Sequence, residues 1–308
     1  MQVKRNLEAI DGLDMNTQTI ERQNKSQLVW TPISAVERRS NLSYDEFIRE
    51  YASVGKPVII TDAMKDWQAL TKWNLNFFRS KYGTAKVRII DCKDKTSFSM
   101  NLADYIDYMA ARDRERLLYI DGWRIYPYPE LFEDYKVPVY FPNWLERLPK
   151  KLLEKYYQLD NRELFIGSKD TSIGLHEDPV SQSAWLALIS GRKRIFLFTP
   201  DQKHLLYDGK VDTFNPDLEK FPLYARTTPV EVILEPQEIL YIPSNWWHHV
   251  KNLEDSIALG SLFINELNAE RVFQAASAID NCPINSDLLR WILKFPLLGR
   301  ILFTIGLI

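Results

Sequence analysis

Between Leu164 and Asn265 the chain repeats one pattern, a short run rich in Val, Ile, Leu and Phe followed by a turn. Seven runs stand out, at 164–168, 171–177, 183–189, 193–198, 230–234, 238–242 and 256–264. Pro200-Asp201, Asp208-Gly209, Pro216-Asp217 and Pro243-Ser244-Asn245 supply turn chemistry between them, because Pro presets a turn and Gly and Asn tolerate left-handed backbone. Short strands at this density predict a mainly β protein with flanking helices, built on a double-stranded β-helix (jelly-roll) core.

The flanks are mixed. Ser43 to Glu46 has the spacing of a capping box and opens a helix through Ala52; Pro57–Thr61 reads as a short buried strand. Residues 67–82 read as a helix closed by Gly83, 86–90 as a strand, 101–114 as an amphipathic helix and 117–120 as a strand. The Pro-, Tyr- and Phe-rich stretch 123–149 has no period and is expected as loops over the mouth of the barrel. Residues 1–28 are polar and aperiodic, the pattern of a mobile arm. After Asn265 the pattern turns helical. The tail Leu289–Ile308 is apolar over a membrane-like length, but Arg290, Lys294 and Arg300 interrupt it and Pro296 and Gly299 break it. A terminal helix pair packed on the domain or on a second copy is expected there instead of a transmembrane span.

A net charge of −2 over 308 residues gives no electrostatic reason for a nucleic-acid partner. Cys92 and Cys282 are far apart and form no C-x-x-C pair, which fits free thiols in a reducing cytoplasm. The polar start has no apolar stretch of the secretory type.

Chemistry concentrates in two segments. The chain has four histidines, and three of them lie in TSIGLHEDP and IPSNWWHHV. In a strand, residues i and i+2 share a face, so His176 and Asp178 can aim an imidazole and a carboxylate at one point while Glu177 looks away. A second histidine from a distant strand would complete a 2-His-1-carboxylate set. Nitrogen and oxygen ligands without thiolate, leaving open positions, suit Fe(II), with zinc and manganese as competitors.

HEDPVSQSAWLALISGRKRIFLFTPDQKHLLY, VDTFNPDLEKFP and YIPSNWWHHVKNLEDSIAL together resemble the JmjC/cupin-like family of Fe(II)- and 2-oxoglutarate-dependent oxygenases, closest to its hydroxylase branch. GKPVIITDA, the strand LLYI and FEDYKVPVYF resemble the family's N-terminal half. The resemblance implies that His176, Asp178 and His248 are the iron ligands and catalytic centre, and that His249 points away as a packing residue. It implies that Lys193 holds the distal carboxylate of the co-substrate 2-oxoglutarate and that the Tyr119 hydroxyl also reaches it. Four positions depart from the family: Ile173, Leu186, Gly260 and Leu262 stand where polar groups often face the co-substrate. Thr171, Ser172 or Ser261 could substitute for them after a register slip.

The implied organisation is an arm at 1–28, a catalytic domain at 29–265 and C-terminal helices at 266–308 serving as a dimerisation or interfacial segment. The implied activity is hydroxylation of an amino-acid side chain in a peptide or protein, in the cytoplasm. A small-molecule or natural-product hydroxylase on the same site and a metal-binding scaffold without turnover are the alternatives.

Overall fold

The computed structural model describes residues 28–111, 115–148, 162–279 and 287–295. The arm expected at 1–28 lies outside them up to residue 27, as do Cys282 and the tail from residue 296. The N-terminal half supplies β1 (Glu37–Arg39), β2 (Val58–Ile60), β3 (Lys86–Asp91), β4 (Ser97–Asn101) and β5 (Leu118–Arg124). Local chemistry sets the helices between them. The Ser43 Oγ accepts from the Glu46 N–H at 3.2 Å and the Glu46 carboxylate accepts from the Ser43 N–H at 2.9 Å, which starts the helix at Tyr44. The single helix expected over 67–82 is two, Ala69–Lys72 and Leu75–Tyr82. Asn74 divides them, its side chain capping the second by accepting from the Phe77 N–H at 2.9 Å.

The C-terminal half contributes β6 (Arg162–Gly167), β7 (Ser172–His176), β8 (Ser183–Ser190), β9 (Lys193–Phe198), β10 (Val230–Leu234), β11 (Ile239–Ile242), β12 (Trp247–Asn252) and β13 (Ser256–Phe263). Among the described residues these strands fall in two sheets, ordered β1-β2-β11-β8-β13-β6-β5-β3-β4 and β10-β9-β12-β7. From β6 to β13 the chain crosses between the sheets at every step except β9 to β10, which pair within the small sheet and are joined by residues 199–229. That alternation is the jelly roll, and the expected double-stranded β-helix is borne out.

Two cores hold the large sheet. Its inner face meets the small sheet through Leu188, Ile195, Leu197, Val232, Leu240 and Ala258. Its outer face carries Trp185, Tyr241, Leu259 and Phe263 against the N-terminal layer of Phe47, Trp67, Phe78 and Phe141. Covered on both faces, β8 (SAWLALIS) is apolar almost throughout. The aromatic stretch expected over the mouth instead packs here: the Phe141 ring stacks on Trp185 at 6.0 Å and 10°, and Tyr135 and Tyr140 are buried beside it. Aromatic rings gain more from an apolar layer than from a rim.

The helix Ala269–Ser277 buries Val272, Phe273 and Ala276 against Ile292 and Leu293 of the helix Asp287–Lys294 and against Leu145 and Leu148. Half-buried Val180 packs on the same cluster, so this helix braces the loop that follows Asp178. Among the described residues no helix is long and apolar enough to cross a membrane.

Candidate metal centre and co-substrate cavity

β7 and β12 are antiparallel neighbours, and His176 stands opposite His248 in the pairing register. The two rings approach to 4.2 Å between centroids. Asp178 lies two residues past His176 in extended backbone (φ −66°, ψ 142°), so its carboxylate returns to the His176 face. Ligand atoms of His176, Asp178 and His248 all lie within 4.8 Å of one another. Glu177 faces the other way and pairs with Lys203.

The rings are held in one tautomer by the backbone. His176 Nδ1 is 2.8 Å from the Gly174 carbonyl and His248 Nδ1 is 3.1 Å from the Trp246 carbonyl. A carbonyl can only accept, so each Nδ1 carries its proton and each Nε2 presents a lone pair. Burial, with His176 alongside, holds His248 well below the ordinary imidazole range and keeps it neutral. Burial pushes the Asp178 carboxyl up, against the pull of the neighbouring His176. A half-buried carboxylate flanked by two imidazoles can hold one cation. The donor set fits a divalent ion of the Fe(II) type, three positions on one side and the cavity on the other.

The adjacent pair His248-His249 is sorted by strand alternation. His249 faces outward beneath residues 199–229, its Nδ1 2.8 Å from the Thr213 Oγ1 and its ring 4.5 Å from Phe214. Burial holds it near 4. Its Nε2 is buried without a partner. The triad does not include it.

The triad opens on a cavity of ≈320 Å³ lined by both sheets. Lys193 and Tyr119 line it too. Lys193 is 1 % exposed, and its Nζ donates to the Asn252 Oδ1 at 2.6 Å and sits 5.7 Å from the Tyr119 ring centroid. An ammonium has three N–H groups, so two are left without a partner among the described residues. No hydrogen bond engages the Tyr119 hydroxyl among the described residues. Burial lowers the lysine to about 7. An anionic group in the cavity would restore its charge. The donors present therefore fit an anionic ligand at Lys193 in the cavity that the triad also lines.

All four departures line this cavity: Ile173, Leu186, Gly260 and Leu262. Of the three hydroxyl residues considered as substitutes, Ser261 lines the cavity, its hydroxyl donating to the Leu262 carbonyl at 2.9 Å; Thr171 donates its hydroxyl to the Ser168 carbonyl at 2.6 Å, and Ser172 lines a small adjoining pocket that shares Tyr119, Asp121 and Ile173 with the cavity. The cavity thus has an apolar wall facing the polar one of Tyr119, Asp121, Glu163 and Lys193.

Three residues of this site escape motif reading. Asp121 lies two residues past Tyr119 on the same face and is held up by burial, with His176 pulling it down. Asn252 lies four past His248, again on the same face. Gly167 is required by close approach: a Cβ there would stand 2.2 Å from the Tyr119 Cδ2 and 2.4 Å from the Asn252 Nδ2. Period-two counting from Tyr119 and His248 would have found the first two.

Two facing sheets, antiparallel except for the β1–β2 pair, that carry a His-Asp-His cluster able to hold a metal ion define a protein of the jelly-roll class. A family model described as a cupin-like domain matches residues 44–267, and the chain belongs to that family. It is 31% identical over 275 residues to "Arginine-specific demethylase JMJ20" of Arabidopsis thaliana, covering 78% of this chain and 60% of the relative. It is 36% identical over 248 residues to "Lysine-specific demethylase JMJ21" of the same plant, covering 76% of this chain and 26% of the relative. With "2-oxoglutarate and iron-dependent oxygenase JMJD4" of Gallus gallus it shares 27% over 266 residues, 77% of this chain and 61% of the relative. The chain spans less than two thirds of the length of these relatives.

Proposed function

We propose that this chain is an Fe(II)- and 2-oxoglutarate-dependent dioxygenase that hydroxylates an amino-acid side chain of a peptide or protein. The observation that carries the reading is the sharing of one cavity by the His176, Asp178 and His248 ligand atoms and a buried Lys193 with two free N–H donors. His176, Asp178 and His248 would hold the iron, and Lys193 with Tyr119 would hold the far carboxylate of 2-oxoglutarate. Iron so bound supplies oxygen activation coupled to decarboxylation of 2-oxoglutarate, yielding succinate, CO₂ and a hydroxylated C–H. The protein's own part is positional. The Gly174 and Trp246 carbonyls fix both imidazoles, Asn252 anchors the lysine, and the apolar wall of Ile173, Leu186 and Leu262 excludes water from the reacting side. Hydroxylation of an N-methyl group ends in loss of formaldehyde, and the relatives named as demethylases make that the second outcome to test.

Succinate should form from 2-oxoglutarate with Fe(II) and O₂ and disappear in His176→Ala; a +16 Da shift in a peptide pool identifies the product. No succinate from the wild type would overturn the reading. A metal-binding scaffold without turnover is the second reading, favoured by the apolar residues at 173, 186, 260 and 262. It predicts metal uptake with no binding of millimolar 2-oxoglutarate.

The domain boundaries at 29–265, the cytoplasmic setting and a homodimer through residues 266–308 belong to the same proposal. Exposed Trp291 and Phe295, in contact with each other, support such an interface. Deleting residues 286–308 should lower the mass of the assembly in solution, and an unchanged mass would refute the dimer.

A further inference from the structure

Asn252 is 1 % exposed and sits at the centre of a fully directed hydrogen-bond network. Its Oδ1 accepts from Lys193 Nζ at 2.6 Å and from the Ser256 hydroxyl at 2.8 Å. Its Nδ2 donates to the Thr171 Oγ1 at 2.9 Å, and Thr171 passes its own proton to the Ser168 carbonyl at 2.6 Å. An ammonium cannot accept, so the oxygen of the amide must face the lysine, and no flipped assignment satisfies the same partners. The backbone is equally fixed. The Asn252 N–H donates to the Thr171 carbonyl at 2.9 Å, its own carbonyl accepts from Asp170 at 2.8 Å, and its Cα pairs with that of Lys193 across β9 and β12. Gly167 lies under the amide, leaving no side chain there to displace it.

A partner this close to a buried lysine is more often a carboxylate, since a buried charge requires compensation. Here no carboxylate among the described residues forms an ion pair with Lys193, and the acidic residues of the cavity, Asp121, Glu163 and Asp178, stand apart from it. A neutral amide orients the ammonium without cancelling its charge.

We propose that Asn252 is the positioning residue of the co-substrate pocket, holding Lys193 in place while leaving its positive charge uncompensated for an incoming dicarboxylate. This rests on the reading of the cavity as a 2-oxoglutarate site. A carboxylate at position 252 would occupy the same space, keep the acceptor and neutralise the lysine in advance, so that 2-oxoglutarate would have to displace an internal ion pair.

The experiment compares the wild-type chain with Asn252→Asp and Asn252→Ala, each loaded with Mn(II), by calorimetric titration with 2-oxoglutarate and by thermal unfolding. Asn252→Asp should melt at or above the wild-type temperature and bind 2-oxoglutarate about tenfold or more weakly, the scale of one charge-assisted hydrogen bond. Mn(II) affinity should stay within about twofold, because Asn252 touches none of the triad; a tenfold change is the 1.4 kcal/mol against which this is judged. Asn252→Ala should also weaken 2-oxoglutarate binding, with a lowered melting temperature. Wild-type affinity in Asn252→Asp would overturn the proposal, since a merely structural asparagine tolerates that change. Loss of affinity only in step with loss of melting temperature would overturn it too. A wild type that binds Mn(II) but no 2-oxoglutarate would overturn the reading of the cavity and this inference with it.

Discussion

Replacing Lys193 by Met removes a buried cation while nearly keeping its volume, and the structure sets the size of the effect. Burial lowers the ammonium from 10.5 to about 7. In the unfolded chain it stays charged up to the ordinary value, so between pH 7 and 10.5 the unfolded state binds more protons and stability rises with pH. At one pKa unit per 1.36 kcal/mol, the lysine destabilises the fold by about 4 kcal/mol at pH 7 and about 2 kcal/mol at pH 9. The lost hydrogen bond to Asn252 offsets about 1 kcal/mol of what Lys193→Met recovers, since the Ser256 hydroxyl still serves the amide oxygen. Urea unfolding should therefore show the variant more stable than the wild type at pH 7 by about 3 kcal/mol, with the gap shrinking by about 2 kcal/mol at pH 9. The buried Tyr119 phenol, held well above its ordinary value, stays neutral over this range, and Asp121 and Glu163 are common to both proteins. The same lysine makes co-substrate affinity run the opposite way. With the ammonium needed for binding, the wild-type dissociation constant for 2-oxoglutarate should rise about 50-fold from pH 7 to pH 9, and Lys193→Met should bind weakly throughout. A wild-type-minus-variant stability difference that is flat with pH would refute the assignment of the burial cost to Lys193. A pH-independent affinity would refute its role in holding the ligand.

Further predictions follow from single contacts. Asp178→Ala leaves two imidazoles and should weaken Mn(II) binding by about 100-fold or more in a metal titration, against the 10–100-fold typical of losing an outer partner; an undiminished affinity would remove Asp178 from the ligand set. For the wild type, a metal held at about 100 times its dissociation constant should add about 3 kcal/mol of stability that a chelator reverses, read as a fall in melting temperature. Gly167→Ala places a methyl 2.2 Å from Tyr119, so it should cost about 1–3 kcal/mol and impair 2-oxoglutarate binding together; a neutral variant would show the ring free to move. Ile173→Thr puts a hydroxyl on the apolar wall and should tighten 2-oxoglutarate by about tenfold, the low end of a hydrogen bond to a charged group. An unchanged dissociation constant would show that position 173 does not reach the ligand.

The strands and the site differed in how plainly they could be read, and for different reasons. All seven runs taken as barrel strands match observed strands to within two residues at each end: 193–198 and 230–234 coincide with theirs, and the strand for 256–264 ends one residue early at Phe263. Alternating or continuous apolar runs bounded by turns leave little choice of structure. The strand left out of that series was β12, which carries His248. Its residues Trp247, His248, His249, Val250 and Asn252 are buried on both faces, one toward the cavity and one beneath residues 199–229. Burial on both sides erases the period-two signal, and histidine and asparagine in such a strand look like loop. The π-helical turn Ile48–Ala52 and the edge strands β1 and β4 are likewise set by neighbours, and no local pattern marks them.

Within the site, residue identity and residue spacing carried different kinds of information. His176, Asp178 and His248 were legible because few combinations of side chains serve a metal, and the structure brings those three within 4.8 Å. Lys193 was legible only through resemblance, since a lysine in GRKRI reads as a solvated cation until the sheet closes over it to 1 % exposure. What neither route could supply is the environment that gives the lysine its energy: an amide and not a carboxylate at 2.6 Å, a glycine where a methyl would collide, and an apolar wall opposite. Those features come from β6, β9, β12 and β13 meeting in register. Burial and neutral anchoring together leave the lysine poorly compensated, which costs stability in the empty fold and is relieved by an anion. The pocket's affinity and the fold's pH dependence are therefore two readings of one buried charge, and Lys193→Met should change both or neither.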